Sequence, residues 1–234
     1  MKTLIVIPTY NEKENISDII DAIEKIVFNT ETLILIVDDS SVDGTIEDVE
    51  NKIKEYNNIN IIKRPSKLGL ASAYITGIKY GLDLGFDCFI EMDADFSHNP
   101  KYLPVMLKNL ETYDVVIGSR NIKDGKVKGW GILRNIISKG GSLYSKIILN
   151  CPINDLTGGF NGWRKEIIEK INLDSIISKG YSFQIEMKYK AYKNNAKIIE
   201  FPIVFEDRKY GKSKMSKTIF FEALLNIIKI RFSK

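Results

Sequence analysis

Short runs of apolar residues, separated by stretches with helical spacing, constrain the fold of this chain more than any other feature. The runs occupy residues 4–7, 33–37, 88–92 and 115–118. A strand that is apolar on both faces is buried on both sides, as in parallel sheets whose crossover helices cover each face. The pattern therefore predicts an α/β fold with a mainly parallel sheet flanked by helices.

The segments between these runs continue the alternation. Apolar residues recur at helical spacing from Ile16 to Ile26. The other predicted elements are helices near 42–56, 72–84 and 102–110, a shorter helix after Trp163, and strands at 59–63 and 197–204. After Ser119 the pattern is less regular, and we assign that part to an acceptor-side half of the same domain. A chain of 234 residues has the length expected of one such domain.

Polar residues follow four of the predicted strands, at 8–12, 38–41, 93–95 and 119–120. In open parallel sheets, ligands bind in the crevice outside the carboxyl ends of the strands. We therefore expect these four clusters to lie around one crevice.

Asp93 and Asp95 stand one residue apart directly after a buried strand. Carboxylate oxygens suit Mg²⁺ or Mn²⁺, and a nucleotide diphosphate would supply further oxygen ligands. The alternative is a helix cap or a surface turn, which Ser97 and Pro100 also permit.

The cluster after the second strand offers acceptors for a nucleoside. Asp39 is predicted to face the ligand, whereas Asp43 in the Asp-Gly pair is predicted to form the start of a helix. Tyr10 can stack on a base, and Glu12 can accept hydrogen bonds from ribose hydroxyls.

Residues 67–71 are predicted to open a helix whose backbone N–H groups could face a phosphate. The segment is not a Walker loop, and no GxGxxG follows the first strand, which removes the dinucleotide oxidoreductases.

The remaining single residues favour structural roles. His98, the only histidine, is predicted to close the turn before Pro100. Cys88 and Cys151 lack a CxxC spacing and are expected to be buried, reduced thiols. The sequence shows neither a signal-peptide pattern nor a run of about 18 apolar residues, so we expect an intracellular protein.

Positive charge is concentrated in two segments. Residues 120–146 contain seven Lys or Arg and one acid, and residues 208–217 contain five Lys or Arg and no acid. Such segments bind an anionic ligand or a membrane surface, or form a solvated face.

Five motifs, taken in order, resemble the dolichol-phosphate (polyprenol-phosphate) mannose synthases, which are inverting family-2 glycosyltransferases of GT-A fold. The motifs are Pro8-Thr9-Tyr10-Asn11-Glu12, the segment 37–45, the segment 93–100 beginning Asp93-Ala94-Asp95, Gly118-Ser119-Arg120, and the segment 208–215 from Arg208 to Met215. The match runs from Thr3 to about Met215. Where the family often has Ser-Gly-Phe, this chain has Thr157-Gly158-Gly159-Phe160, so the resemblance does not extend to the fine shape of the acceptor pocket.

The resemblance implies transfer of mannose from GDP-mannose to a dolichyl or polyprenyl phosphate, with Mg²⁺ or Mn²⁺ as cofactor. It implies roles for individual residues too. The guanosine would be held by Pro8, Tyr10, Glu12, Val37 and Asp39. The metal and the diphosphate would be held by Asp93, Ala94 and Asp95, and the donor and acceptor phosphates by Arg120, Arg208 and Lys214. The sugar side would be lined by Gln184 and Glu186. Asp95, Arg120, Arg208 and Lys214 are the candidate catalytic residues.

The C-terminal segment 218–234 is predicted to be an amphipathic helix at a membrane interface, following a catalytic domain at 1–217. Its polar residues form one narrow stripe, Glu222, Asn226 and Lys229. A second membrane contact is predicted at Trp130, Ile132, Leu133, Ile136 and Ile137. The alternative is that the helix docks on the domain's own core. We expect peripheral association with the cytoplasmic face of a membrane, with small membrane subunits as candidate partners and no nucleic acid.

Other functions remain open from the sequence. The nearest is transfer of glucose or another hexose from a UDP-sugar to the same lipid phosphate. A non-catalytic nucleotide-binding subunit is a second alternative, and the presence of Asp93, Asp95, Arg120, Arg208 and Lys214 argues against it. A sugar-nucleotide pyrophosphorylase would need a glycine-rich basic loop after the first strand, where this chain has residues 8–12.

Overall fold

A computed structural model describes residues 1–27, 31–178, 180–207 and 217–232, with the backbone alone at 132, 133, 181 and 217–224. The strands are β1 Thr3–Thr9, β2 Thr32–Asp38, β3 Ile59–Lys63, β4 Cys88–Glu91, β5 Val115–Ser119, β6 Lys126–Lys128, β7 Asn161–Arg164, β8 Ile198–Pro202 and β9 Val204–Glu206. The helices are α1 Lys13–Val27, α2 Thr45–Glu55, α3 Leu70–Asp83, α4 Leu103–Leu110, α5 Ile132–Leu149, α6 Lys165–Lys170, α7 Tyr181–Lys193 and α8 Lys217–Phe232. Single turns of 3₁₀ helix span Pro100–Tyr102 and Leu173–Ser175.

The main sheet has seven strands in the order β3-β2-β1-β4-β7-β5-β8. Every neighbouring pair is parallel except the two that involve β7, which runs antiparallel to both β4 and β5. A small second sheet joins β6 and β9 in parallel. The predicted mixed α/β fold with a mainly parallel sheet is confirmed.

Two apolar layers cover the two faces of the main sheet. Successive residues of β1 point to opposite faces. Ile5 and Ile7 contribute to the layer that contains the buried face of α1, whereas Leu4 and Val6 contribute to the layer that contains α3. These four side chains are fully buried, which explains why the run contains no polar residue.

Helix α3 lies unusually close to the sheet because it carries glycine where it crosses β1. A Cβ atom built on Gly77 would lie 2.4 Å from a methyl carbon of Val6, and one on Gly81 would lie 2.6 Å from a methyl carbon of Leu4. These distances are below any normal contact between carbon atoms, so neither position has room for a side chain.

The structure differs from the prediction mainly after Ser119. Helices α5 and α7 and strand β7 were not predicted, and the single strand expected at 197–204 is divided at Ile203 into β8 and β9. The short helix expected after Trp163 is α6. Both cysteines are free and buried, as expected.

The C-terminal helix α8 packs against α5 and α7. Ile227 and Ile230 are buried, whereas Leu225, Ile228 and Phe232 are exposed. The helix therefore docks on the domain and still presents an apolar face. Within the described residues, none of the helices combines the length and the apolar character needed to cross a bilayer.

Gly77→Ala should destabilise the protein by about 1–3 kcal/mol, because the added methyl group overpacks the contact with Val6. Gly140→Ala is the matched control, since nothing lies within 4 Å of a Cβ atom at that position of α5. It should stabilise the helix by about 0.5–1 kcal/mol. Urea unfolding of the two variants measures both values, and equal stabilities would contradict the close approach of α3 to β1.

Candidate functional site

The four polar clusters that follow β1, β2, β4 and β5 lie along one edge of the main sheet. Strands β1, β2 and β4 are mutually parallel, and β5 runs in the same direction because both β4 and β5 are antiparallel to β7. Their carboxyl ends therefore meet at the same edge, as predicted. Strands β4 and β5 are separated by β7, so their ends lie about 10 Å apart, two interstrand spacings.

The loops after β1 and β2 are joined to each other by hydrogen bonds. Asn11 donates its N–H to Oγ of Ser41 at 2.8 Å and accepts the N–H of Val42 on its side chain at 3.0 Å. The N–H of Glu12 donates to Oγ1 of Thr45 at 2.9 Å. These bonds fix the two loops as one rim of the crevice.

The two aspartates after the apolar part of β2 have different partners. Asp38 is fully buried, and its carboxylate accepts the hydroxyl of Thr9 at 2.7 Å. Asp39 forms an ion pair with Arg64 and accepts the N–H of Gly69 at 2.8 Å. Asp38 thus braces the loop. The N–H of Gly69, at the start of α3, is used by Asp39 and is not free for a phosphate.

Asp43 shapes the start of α2, as predicted. Its carboxylate accepts the N–H of Thr45 and the N–H of Lys13, each at 3.1 Å. Burial disfavours the ionised form of Asp43, but the hydrogen bonds from Thr45 and Lys13 outweigh it and lower the pKa of this carboxyl.

The other residues expected to hold a nucleoside lie on the same rim. Tyr10 and Glu12 are half-buried, and the ammonium of Lys67 lies 3.8 Å from the centroid of the Tyr10 ring. Pro8 is half-buried near the end of β1, whereas Val37 is fully buried in β2. The side chain of Val37 is therefore part of the core, and only its backbone is near the rim.

Asp93 is the more accessible of the two acidic residues after β4. Its side chain is 36% exposed. Oδ1 accepts the hydroxyl of Tyr74 at 3.1 Å, so one oxygen is oriented and the carboxylate still opens to solvent. Tyr74 is fully buried, and this burial, reinforced by the charge of Asp93, raises the pKa of the phenol well above its ordinary value. Tyr74 therefore remains a hydrogen-bond donor to Asp93.

His98 closes the turn that carries these two acids, as predicted. Its Nδ1 accepts the N–H of Asp93 at 3.0 Å, and its ring stacks on Phe160 with centroids 5.2 Å apart. Burial lowers the pKa of His98, although Asp93 and Asp95 oppose this effect. The imidazole is therefore neutral, with its proton on Nε2.

Asp95 is nearly buried, and its Oδ1 accepts the N–H of Ser97 at 3.1 Å. Between the two acids, Ala94 packs into the core. Phe96 then turns the chain with a φ of 62°. No group of three or more His, Cys, Asp or Glu within the described part of the chain could hold a metal by itself. Carboxylate oxygens such as those of Asp93 and Asp95 are ligands that Mg²⁺ and Mn²⁺ prefer.

Arg120, at the end of β5, is held by an acid that the sequence did not indicate. Its Nε donates to Oδ2 of Asp155 at 2.8 Å, and Nη2 donates to Oδ1 at 2.7 Å. The guanidinium also lies over the rings of Trp130 and Phe205, 5.8 and 5.3 Å from their centroids. Asp155 follows Arg120 by 35 residues in a loop, and no spacing rule links the two.

Asp155 stays ionised although it is fully buried. Burial raises the pKa of its carboxyl, but the charge of Arg120 and the hydrogen bonds from it outweigh that effect and lower the pKa to about 2. The pair is thus a fixed, bidentate ion pair that leaves the arginine no freedom to rotate.

Gln184 and Glu186, expected to line the sugar side, have internal partners on α7. Oε1 of Gln184 accepts from Nδ2 of Asn161 at 2.7 Å, and the carboxylate of Glu186 accepts the backbone N–H of Ser178 at 2.9 Å. Both side chains are buried. In this structure Gln184 bonds to strand β7 and Glu186 to the segment before α7, and neither side chain is exposed in the crevice.

Glu91 is a buried acid next to this network that the sequence analysis missed. Oε2 accepts from Nδ2 of Asn161 at 2.9 Å. Burial raises the pKa of Glu91 to about 7, against the opposing effects of Asn161, Trp163 and Lys188. It sits within an otherwise apolar strand, and only its mismatch with that pattern could have drawn attention to it.

Some of the predicted residues fall on parts of the chain that the structure does not describe. Arg208 and Lys214 lie outside the described residues, as do the side chains of Ile132 and Leu133. Trp130, expected to contact a membrane, donates its indole N–H to Oδ1 of Asp207 at 3.2 Å.

Comparison with known proteins identifies the family. The family profile "Glycosyl transferase family 2" matches residues 4–172. The chain belongs to glycosyltransferase family 2. Two relatives of this family-2 chain cover nearly all of it. An undecaprenyl-phosphate mannosyltransferase of Micrococcus luteus is 40% identical over 227 residues, 97% of this chain and 93% of the relative. A polyprenol monophosphomannose synthase of Mycolicibacterium smegmatis is 38% identical over 229 residues, 97% of this chain and 85% of the relative.

Solved structures support the fold assignment. A glucosyl-3-phosphoglycerate synthase of Mycobacterium tuberculosis, in complex with Mn²⁺, UDP and phosphoglyceric acid, superposes with a TM-score of 0.74 at 14% identity. The match covers 100% of this chain and 79% of that one. The GT-A fold expected from the resemblance is thereby confirmed for this family-2 glycosyltransferase.

Tyr74→Phe should weaken binding of Mn²⁺ in the presence of GDP by about tenfold or more, because Asp93 loses the hydroxyl that orients it. Tyr80→Phe is the matched control: it lies on the same helix and gives up a hydrogen bond to Asn60 of β3 instead. Calorimetric titration of both variants measures the effect. Equal affinities for Tyr74→Phe and the unmodified protein would contradict the role of this hydroxyl.

Proposed function

We propose that this chain transfers mannose from GDP-mannose to the phosphate of a polyprenyl or dolichyl lipid, with inversion at the anomeric carbon. The observation that carries the proposal is the placement of two acids after β4 and a fixed arginine after β5, across one crevice. The names of the two relatives, which cover nearly the whole chain, point to this donor sugar and this class of acceptor.

Asp93 and Asp95 would hold Mg²⁺ or Mn²⁺ together with the diphosphate of the donor. When bound, such a cation neutralises the charge that develops on the departing nucleoside diphosphate. The solvent-accessible carboxylate of Asp93 supports a site that the donor completes.

The residues on the nucleoside side would be Pro8, Tyr10, Glu12, Val37 and Asp39. Their loops are joined by the hydrogen bonds between Asn11 and residues 41–42, so the rim is formed before the donor binds. Such preorganisation lowers the entropic cost of binding.

Arg120 would bind a phosphate of the acceptor or the donor, and the resemblance adds Arg208 and Lys214 to this role. About 10 Å between the ends of β4 and β5 leaves room for the sugar between the two charged groups. Gln184 and Glu186 would act on the sugar side indirectly, through strand β7 and the segment before α7 that they support.

No strong general base is required, because a phosphate monoester is already largely ionised at pH 7, its second pKa being about 6. The structure supports this. His98, the only imidazole, is buried, neutral and engaged with the backbone of Asp93. The attacking oxygen is supplied by the acceptor, and the protein positions the two anionic reactants.

The acceptor is a lipid, so one face of the domain should lie against a membrane, on its cytoplasmic side. Ile136, Leu143 and Ile147 form one exposed stripe along α5. The exposed face of α8, which packs against α5, adds Leu225, Ile228 and Phe232. Exposed apolar residues in two adjacent helices with nearby lysines are typical of an interfacial surface.

The transfer is tested by incubating the protein with labelled GDP-mannose, UDP-glucose or UDP-galactose and polyprenyl phosphate, with and without a chelator. We expect label in the lipid from GDP-mannose, lost with the chelator. Asp93→Asn should reduce transfer by about 100-fold or more, whereas Asp83→Asn, an exposed acid at the end of α3, should not. If label reached the lipid only from a UDP-sugar, GDP-mannose would not be the donor and this part of the proposal would be wrong.

The membrane surface is tested by co-sedimentation with vesicles that contain anionic lipid. Leu143→Glu combined with Ile147→Glu should reduce binding strongly, because both introduce charge into the stripe on α5. Val105→Glu combined with Leu84→Glu provides the control, since these exposed apolar residues lie elsewhere. Equal binding by the two double variants would rule out this surface.

A further inference from the structure

We propose that Lys188 is a positioning residue for Arg120: its buried ammonium fixes the turn at residues 155–158, and this turn holds the arginine. The inference rests on the proposed function for its kinetic readout only. Lys188 lies on α7 and is fully buried, which is rare for a lysine.

The ammonium of Lys188 uses all of its donors on one turn of the chain. It donates to the backbone carbonyl oxygens of Asp155 at 2.9 Å, Leu156 at 3.3 Å and Gly158 at 2.6 Å. An ammonium has three N–H groups and no acceptor, so three carbonyls satisfy it completely.

The turn is held from its other side by Glu200 of β8. Oε1 of Glu200 accepts the N–H of Asp155 at 2.9 Å, and Oε2 accepts the N–H of Asn154 at 2.8 Å. The cation Lys188 therefore binds the carbonyl groups of the turn, and the anion Glu200 binds the N–H groups of the same segment. These two side chains, one from α7 and one from β8, fix the conformation of the turn.

Arg120 depends on that conformation for its place. Three of its hydrogen bonds go to the Asp155 carboxylate, including one from its own backbone N–H at 2.9 Å. Nη2 also donates to Oγ1 of Thr157 at 3.0 Å. All four bonds end on the turn that Lys188 binds, so a shift of the turn moves the guanidinium.

The protonation of Lys188 links this arrangement to pH. The groups that face it are Asp155, Glu91 and Glu200, which favour the ammonium, and Arg120, which opposes it. Burial lowers the pKa of Lys188 to about 8, against the attraction of Asp155 and Glu91. The neutral amine would turn a lone pair toward one carbonyl oxygen, and one bond would become a repulsion.

Loss of the Lys188 proton at alkaline pH can be distinguished from alkaline unfolding, because the contribution of Lys188 to stability changes in the opposite direction. The pKa of Lys188 is lowered in the fold from 10.5 to about 8. Between these two values the unfolded chain binds more protons, so the contribution of Lys188 to stability grows as pH rises. Burial raises the pKa of Cys88 to about 12 and also raises that of Cys151, so neither thiol titrates near pH 8.

The kinetic test compares Lys188→Met, Lys188→Arg and the unmodified protein. At pH 7, Lys188→Met should lower kcat about 10- to 100-fold and change the KM for GDP-mannose by less than about threefold. Lys188→Arg should restore part of kcat and retain it above pH 9, where kcat of the unmodified protein has fallen with an apparent pKa near 8. Lys52→Met is the control: it removes a lysine whose side chain is 15% exposed and ion-paired to Asp21, far from the turn.

A kcat that is independent of pH from 7 to 9.5 in the unmodified protein would overturn the proposal. An alkaline limb that Lys188→Arg leaves unchanged would also overturn it. These two results need no Lys188→Met protein, so they decide the matter even if that variant does not fold.

Amide hydrogen exchange provides a readout that does not depend on the donor sugar. In Lys188→Met, peptides covering 151–160 and 119–122 should exchange faster, and those of β1 should not change. If the unmodified protein transfers no mannose, the proposed function fails while this comparison still tests Lys188. Unchanged exchange at both segments would overturn the positioning role.

Discussion

Asp155 is fully buried, and a carboxylate there is stable only while the cations around it keep their places. Moving an ion out of water costs several kcal/mol even after relaxation, and good geometry with complete hydrogen bonding must offset that cost. Arg120 supplies a bidentate partner, and Lys188 binds the backbone carbonyls of Asp155 itself, Leu156 and Gly158. Removing Arg120 leaves the buried carboxylate without its ion-pair partner, and removing Lys188 takes a donor from three buried carbonyl oxygens, so the crevice depends on this cluster as a unit.

The first half of the fold could be predicted from sequence because burial of apolar side chains defines its strands and helices. Strands β1, β2 and β4 are buried on both faces, so their central residues are apolar except for Glu91 of β4, and α1 shows a regular helical period. The second half follows other rules. Strand β7 is Asn161-Gly162-Trp163-Arg164, without an apolar pattern. It pairs with β4 and β5 through its backbone, and Gly162 leaves room for Met106 and Leu110 of α4 against the sheet.

The unpredicted helices have equally specific explanations. Helix α7 buries three polar residues, Gln184, Glu186 and Lys188, so its sequence lacks an apolar stripe. Their partners lie outside the helix, in β7, in the segment just before α7 and in the turn at 155–158. Helix α5 contains adjacent glycines at 140 and 141, which weaken the helical signal. Some of its apolar residues are exposed, so the usual assumption that apolar residues are buried does not hold for them.

The candidate site divides in the same way. Residues at the ends of strands could be located from sequence because the topology of a parallel sheet collects them. Their partners could not, since the pairs Arg120–Asp155 and Tyr74–Asp93 join segments that no local pattern relates. For Gln184 and Glu186, the resemblance suggested contact with the sugar side, whereas the structure gives both residues internal hydrogen bonds.

The hydroxyl of Ser142 on α5 lies 3.0 Å from the hydroxyl of Thr157, which itself accepts from Arg120. Two short side chains thus connect helix α5 to the arginine. If α5 rests on the bilayer, the depth of its immersion sets the height of the guanidinium above the headgroups. A lipid phosphate would then meet Arg120 at a fixed elevation, and the isoprenoid tail would need no carrier to lift it out of the leaflet.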